Sequence, residues 1–361
     1  MSRNTVDAAI EVAHAYRERI MLIPSRRQIE TAELGGGYVE GWTTEQFAEY
    51  VRAADPERMV LLCRDHGGPW QSPAETGLGE REAMRSCMLS FRRDIEAGFD
   101  LLHIDTSSGP GRGTPPVESA VDRLLELYAE CCAVAAANGR EVQFEVGVEE
   151  QGTDTNEPAE FARTAGRIIR AIEANGLPRP AFVVAQTGSK VIETGNAGAL
   201  EAAPNAVAHT VRTLAAHCRG WGTNLKAHNM DYLQDAAVRR LMSAGVAAIN
   251  VAPEFGVAET KALLRTLTQL DMVPERDKFV QLACESGAWR KWLKPNSQAT
   301  DIDRAVISGH YVFGTADCRE IKARADHRCR TAGKPLDDIL RAAVRTSIER
   351  FLHITNAREQ V

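Results

Sequence analysis

Short apolar runs recur along the chain at intervals of about 20–45 residues. They are "IMLIPS" (20–25), "MVLLCRDH" (59–66), "LLHIDTS" (101–107), "VQFEVGV" (142–148), "AFVVAQTG" (181–188), "TNLKAH" (223–228) and "AAINVAP" (247–253). Each reads as a strand apolar on both faces, the pattern of a parallel sheet covered by helices. Between them lie stretches with helical spacing of apolar positions, such as "TTEQFAEYVRAA", "AMRSCMLSFRRDIEAG" and "ESAVDRLLELYAECCAVAAANG". The first opens on a Thr-Thr-Glu-Gln cap, and the other two run to Gly98 and Gly139, where a left-handed C-cap is expected. Alternation of this kind predicts βαβ units in a TIM-type (β/α)8 barrel over residues 1–265. Only seven strands are counted, so strand one of such a barrel is missing or replaced. "KFVQLA" (278–283) and a second subunit are the candidate fillers.

After about residue 260 the pattern turns helical, with one further candidate strand, "YVFGT" (311–315). Residues 266–361 therefore read as a helical extension packed on the barrel. Within it Ile339, Leu340, Ala343, Val344, Ile348 and Leu352 form an apolar stripe that needs a partner.

Composition narrows the class. The 361 residues are 44% hydrophobic and 25% charged, with a net charge of −6. Nothing in that balance attracts nucleic acid or an anionic membrane over long range. No apolar run approaches the roughly 18–20 residues of a membrane span, and the N-terminus lacks the apolar core of a signal peptide. Eight scattered cysteines without a CxxC pair read as reduced thiols in a cytoplasmic protein.

Polar residues gather where these strands end: Asp65 and His66, His103 and Asp105, Glu145, Gln186, His228 and Asn250. A parallel barrel makes such positions neighbours, because every strand points the same way. One strand-end histidine is ordinarily a structural residue; six strands ending so define a site. His66, Glu145 and His228 suit Zn²⁺ or another divalent metal and leave a position open. Asp65 and His66 alternate across an extended strand, so Asp65 is cast as proton donor or acceptor, with Gly67-Gly68 allowing a kink. A Lewis acid beside a carboxylate serves an aldol reaction, and equally some isomerases and hydrolases.

"CRDHGGPWQ" resembles the "GGDHLGPNxWQ" segment of the class II tagatose-bisphosphate aldolase accessory-subunit family. "SRRQIETAELGGGYVEGWTTEQFAEYV", "AGFDLLHIDTS", "FVVAQTGSKV", "LKAHNMDYL" and "AAINVAPEFGVAETKAL" follow that family in order, over roughly residues 4–265. The resemblance implies a metal-dependent barrel, with Asp65 as acid/base and His66 as a metal ligand. It implies either an aldolase-type carbon–carbon lyase acting on a sugar-like substrate, or a non-catalytic subunit that stabilises a partner aldolase. A metal-dependent sugar isomerase or epimerase is the third reading, and a homo-oligomer is expected. Gln28, Asp105, Ser107, Gln186, Lys190, Asn250 and Glu254 are the candidate substrate contacts.

The chain departs from catalytic class II aldolases in three places. Ser189 and Lys190 stand where those enzymes carry a second ligand histidine. Asn229, Met230 and Asp231 stand where they carry a phosphate-binding "GGSG", leaving Lys190 as a substitute charge. The chain also starts at a helix, where the family starts with a strand.

Overall fold

The computed structural model describes residues 1–147 and 152–356. Helix α1 (Arg3–Tyr16) leads into strand β1 (Ile20–Leu22), α2 (Thr44–Ala54), β2 (Val60–Arg64) and α3 (Glu80–Ala97). Then come β3 (Leu101–Asp105), α4 (Val117–Ala137), β4 (Gln143–Gly147), α5 (Pro158–Ala174) and β5 (Phe182–Ala185). A hairpin of β6 (Lys190–Ile192) and β7 (Gly195–Ala197) interrupts the alternation. It is followed by α6 (Ala199–Ala202), α7 (Pro204–Gly220), β8 (Asn224–Ala227), α8 (Asp235–Ser243) and β9 (Val246–Ile249). Of the seven strands read from the pattern, all are present, shorter than their apolar runs; Val148 lies outside the described residues.

The local signals behave as their chemistry requires. Thr43 and Gln46 form a reciprocal capping box at the start of α2. Gly98 ends α3 in the left-handed conformation at φ 89°.

The seven long-range strands form one parallel sheet in the order β1-β2-β3-β4-β5-β8-β9. The sheet curls but does not close: among the described residues no eighth strand joins β1 to β9. Both free edges instead line one apolar cavity of about 290 Å³, together with Met1, Thr5 and Ala9 and with Ile348, Phe351 and Leu352. Among the described residues the sheet is a seven-stranded half-barrel, in line with the expectation that strand one of the barrel is missing.

Helices α9 (Pro253–Gln269), α10 (Val273–Glu285), α11 (Asp301–Ser308), α12 (Ala316–Thr331) and α13 (Leu336–Asn356) complete the chain. "KFVQLA" belongs to α10 and is no strand. "YVFGT" is a turn leading out of a short 3₁₀ segment, Gly309–Tyr311. Leu340, Val344 and Ile348 of the C-terminal stripe are buried, joined by Phe351 and Ile354. Val344, Ile348, Phe351 and Ile354 join the core of the half-barrel, whereas Leu336 and Leu340 join a second core built from α9 to α12. No described helix is long and apolar enough to cross a membrane, and all eight cysteines are unpaired.

Arg64, the last residue of β2, is fully buried and faces α3. Its guanidinium binds both oxygens of Asp94 (2.8 and 2.6 Å) and also donates to the carbonyls of Pro24 (3.1 Å) and Ile29 (2.8 Å). Removing one partner leaves the other charged and unpaired in a dry interior. Asp94→Asn is expected to lower unfolding stability by about 3–5 kcal/mol in denaturant titration. Replacing both partners with apolar residues should recover part of that loss.

Candidate active site

Strand alternation supplies the first pairs. His103 and Asp105 stand two apart in β3 and share a face; Lys226 and His228 do the same at the end of β8. In register, His103 lies opposite Glu145 of β4. An isolated parallel bridge between Ser25 and Asp65 extends the β1–β2 pairing by one step, with the Asp65 N–H donating to the Pro24 carbonyl at 3.1 Å. That fixes Asp65 facing inward while Arg64 faces out.

His66 follows Asp65 yet joins the same site. It does so by taking a left-handed conformation, φ 45°, which an L-residue with a bulky side chain adopts at a cost of about 1–2 kcal/mol. The kink lies at His66 itself. Gly67 and Gly68 serve close packing: a Cβ on Gly67 would meet the Phe91 ring at 2.4 Å, and one on Gly68 would meet the Asp105 carbonyl oxygen at 1.4 Å. Gly68 also presents its own carbonyl to the Arg26 guanidinium at 3.0 Å.

The imidazoles of His66, His103 and His228 form a nearly equilateral triangle, with ring centroids 5.4, 5.3 and 5.4 Å apart. Carboxylates stand beside each. Asp105 takes His66 Nδ1 at 2.5 Å, leaving His66 Nε2 3.7 Å from Asp65. Glu145 Oε1 lies 3.1 Å from His228 Nε2 and 3.6 Å from His103 Nδ1, and Lys226 Nζ holds its other oxygen at 2.5 Å. Asn250 donates to Asp65 at 3.3 Å, and Gln71 donates to Asp105 at 2.9 Å.

Donor atoms of Asp65, His103, Glu145 and His228 all lie within 4.8 Å of one another, as do those of His66, His103 and Asp105. The set fits a borderline divalent ion such as Zn²⁺: imidazole nitrogens and carboxylate oxygens at spacings that ligands about 2 Å from one centre require. A carboxylate on the second nitrogen, as Asp105 is on His66, fixes the tautomer and the ring of a ligating histidine.

The charges are coupled. Burial pushes the Asp65 carboxyl up, but the positive charge on His66 and the hydrogen bond from His103 outweigh it and hold Asp65 well below the usual carboxylate range. Burial alone would lower His66, yet the charge of Asp65 and the bond to Asp105 raise it to about 9. Glu145, also opposed by burial, is drawn down to about 2 by Lys226, His103 and His228. His228 is lowered, burial being the main cause.

Asp65, His66, His228, Asn250 and Gln28 line a cavity of about 330 Å³. Asp105, Ser107 and Gln186 line a small inner recess of about 30 Å³ that also touches His66 and His228. Glu145 is fully buried beneath them. Lys190 is exposed on the β6–β7 hairpin and lines neither space. Glu254 lines neither as well; it accepts from the Tyr232 N–H, Ser347 and Arg350, tying α9 to α13. Sequence reasoning left His103 out of the metal set and passed over Gln71 and Lys226. The two-residue spacing in β3 and β8 was the signal for His103 and Lys226; Gln71 carried none.

Strand-end carboxylates and imidazoles on a curled parallel sheet define an α/β protein of the barrel-related kind with a candidate metal site. The comparisons specify it further: the sequence matches the D-tagatose-1,6-bisphosphate aldolase subunit GatZ/KbaZ-like family over residues 2–286, and the chain belongs to that family. It is 25% identical over 275 residues to the D-tagatose-1,6-bisphosphate aldolase subunit GatZ of Klebsiella oxytoca, covering 68% of this chain and 62% of that one. It is 24% identical to the GatZ of Escherichia coli (strain SMS-3-5 / SECEC), covering 75% and 67%. The chain thus spans somewhat under two thirds of the first relative.

Among solved structures, a "probable tagatose 6 phosphate kinase" from Sinorhizobium meliloti 1021 superposes with TM-score 0.76 at 20% identity, covering 97% of both chains. The fructuronate-tagaturonate epimerase UxaE of Cohnella laeviribosi superposes with TM-score 0.57 at 13% identity, covering 98% of this chain and 79% of that one. The fructose-bisphosphate aldolase of Campylobacter jejuni gives 0.55 at 10%, covering 98% and 88%. These likenesses describe the fold.

Two outcomes test the geometry. Gly68→Ala should fail to give a folded, monodisperse protein in chromatography and circular dichroism, since the clash is with backbone. The second concerns pH in metal-free protein. A raised His66 pKa gives stability fully present below 6.5 and lost as pH rises through about 9. Depressed Asp65 and Glu145 give stability present above their ordinary values of 3.8 and 4.5 and lost as pH falls below them. The His66 contribution to the melting temperature should therefore be complete below about pH 6.5 and decline toward pH 9–10, while the lowered His228 costs stability as pH falls below 6.5. His66→Gln should remove the alkaline decline.

Proposed function

We propose that the chain is a divalent-metal-dependent, aldolase-type carbon–carbon lyase acting on a sugar-like substrate. The observation that carries this reading is the convergence of Asp65, His66, His103, Glu145 and His228 from four strand ends. Family membership supports a sugar aldolase-related role. His103 Nδ1, Glu145 Oε1 and His228 Nε2 would hold the ion, with Asp65 beside them in the same donor group; His66 falls in a separate group with His103 and Asp105. A divalent cation bound there supplies polarisation of a carbonyl and stabilisation of the negative charge that develops as a carbon–carbon bond breaks.

Asp65 does the proton work. Its carboxyl is anionic at neutral pH, so it accepts the proton of the hydroxyl whose oxygen becomes the aldehyde. As the bond breaks, the electron pair passes to the carbonyl half of the substrate, and that half is later protonated. Asn250 orients Asp65 through its amide N–H, and its own Oδ1 is buried without a partner, an acceptor for a substrate hydroxyl. Asp105 orients His66. Lys226 balances the buried charge of Glu145 and keeps one of its oxygens in place.

A second reading is favoured by the relatives, which are aldolase subunits: the chain stabilises a partner aldolase subunit without turnover of its own. The test is retro-aldol release of an aldehyde from D-tagatose 1,6-bisphosphate by the purified chain with Zn²⁺, alongside elemental analysis. Turnover with one bound metal supports the lyase. Neither metal nor turnover, with stabilisation of a co-expressed aldolase, would establish the subunit role, and interconversion of sugar epimers would establish an epimerase.

His228→Ala should lose stoichiometric metal. Asp65→Asn should keep the metal and slow turnover by about 10²–10⁴-fold. Metal loss in Asp65→Asn would make Asp65 a ligand instead.

A further inference from the structure

Buried polar atoms without a hydrogen-bond partner gather around the candidate site. His103 Nε2 and Thr187 Oγ1 belong to residues that line the inner recess, and Asn250 Oδ1 to a residue that lines the larger cavity. All three come from the half-barrel. A fourth, Nδ1 of His310, comes from the helical C-terminal region. His310 lines the same cavity as Asp65, His66, His228 and Asn250.

The fold seats this histidine closely. It lies in the 3₁₀ segment Gly309–Tyr311 and is 4% exposed. Its ring centroid is 4.2 Å from that of Tyr311. Helix α9 makes room for it at Gly256, where a Cβ would meet Cγ of His310 at 2.5 Å and Nδ1 at 2.6 Å. The preceding Gly309 is pressed on the same helix: a Cβ there would meet the Thr260 side chain at 2.6 Å. A glycine inside a helix costs about 1 kcal/mol relative to alanine. Helix α9 gives up that much to admit an imidazole into the cavity wall.

Nothing in this seat uses the polarity of the ring. Among the described residues neither nitrogen has a hydrogen-bond partner, and a sealed nitrogen left so costs about 1–3 kcal/mol. A leucine of similar size would avoid that cost. Burial, the main cause, holds the imidazole well below the usual histidine range, so the ring is neutral at pH 7. A neutral imidazole offers one N–H and one lone pair and no charge. The complementary group is a hydroxyl, which also donates and accepts.

We propose that His310 is a specificity-determining residue, which binds a hydroxyl of the sugar-like substrate through Nε2 and so fixes how the substrate lies across the cavity. This assignment rests on reading the cavity of Asp65 and His228 as the place where a sugar-like substrate binds. It makes the C-terminal region part of substrate selection, in addition to its packing on the half-barrel.

The test is calorimetric titration of D-tagatose, a neutral polyhydroxy ketone, into the full chain with and without Zn²⁺, with metal content measured on each sample. In parallel, nitrogen NMR spectra of protein labelled at histidine follow the ring of His310, assigned by the loss of its signals in His310→Leu. The Nε2 signal should move as the sugar saturates the protein. His310→Leu should bind D-tagatose about 3- to 10-fold more weakly, the worth of one neutral hydrogen bond. Its melting temperature should equal or exceed that of the wild type, because a sealed nitrogen without a partner has been removed. His310→Gln, which restores a donor and an acceptor, should recover part of the affinity. A histidine kept only for structure would give the opposite pattern, a lower melting temperature with unchanged affinity.

Unchanged affinity in His310→Leu, a His310 signal that stays in place at saturation, or no binding of D-tagatose by the wild-type chain would overturn the proposal. A chain that takes up no metal but binds D-tagatose through His310 would overturn the metal reading and leave His310 in its role. Bound metal with sugar binding indifferent to His310 would do the reverse.

Discussion

The bidentate pair between Arg64 and Asp94 sets the frame for the site. Arg64 is the last residue of β2, and its side chain faces α3. A strand's alternation then obliges Asp65 to face the inside of the half-barrel. A slip of one residue would carry Asp65 out and a guanidinium in, and would leave Asp94 buried without its partner. The same guanidinium donates to the carbonyls of Pro24 and Ile29. Those two residues bracket the segment that carries Arg27 and Gln28. One buried cation therefore holds Asp65 and the segment of Arg27 and Gln28, which line the same cavity, in fixed relation.

Much of the architecture was legible because it follows from repetition. Seven apolar runs spaced by helical patterns demand a parallel sheet, and a parallel sheet brings strand ends together. Asp65, Glu145, His228 and Asn250 meet for that reason alone. The closed barrel was not legible as absent, since seven strands are compatible with closure by any later apolar run. "KFVQLA" and "YVFGT" show why such runs mislead. Five or six apolar residues have no period of their own, and packing against α9 and α12 decides for helix or turn. The conformation of His66 was equally hidden. Two glycines after it advertise a kink, but they are small because Phe91 and Asp105 press against them, and the left-handed turn falls on the histidine.

Glu145 shows how the interior tolerates so many charges. It is wholly buried, and an isolated carboxylate there would be protonated or expelled. Lys226 on one oxygen and His228 on the other allow it to stay ionised, and each of those is itself too buried to exist without it. Lys226 and His228 at β8 and the acid at β4 are a single unit spanning β5, the strand between them. Sequence alone showed Lys226 as an ordinary strand residue before His228, because the need for a counter-charge appears only when the neighbouring strand is known.

Two helices, α9 and α13, run through both hydrophobic cores. Phe255 packs at one end of α9 and Leu263 at the other, and α13 contributes Leu340 to one core and Phe351 to the other. A lobe that shared a single loop with the half-barrel would swing like a door. These struts prevent it, because any hinge would have to break continuous helical hydrogen bonds. The stretch between α10 and α11, which carries the 3₁₀ turn Arg290–Trp292, lies off these struts. The half-barrel and the helical lobe are thus braced as one vault, in which a change at either end of α9 or α13 is felt in both cores.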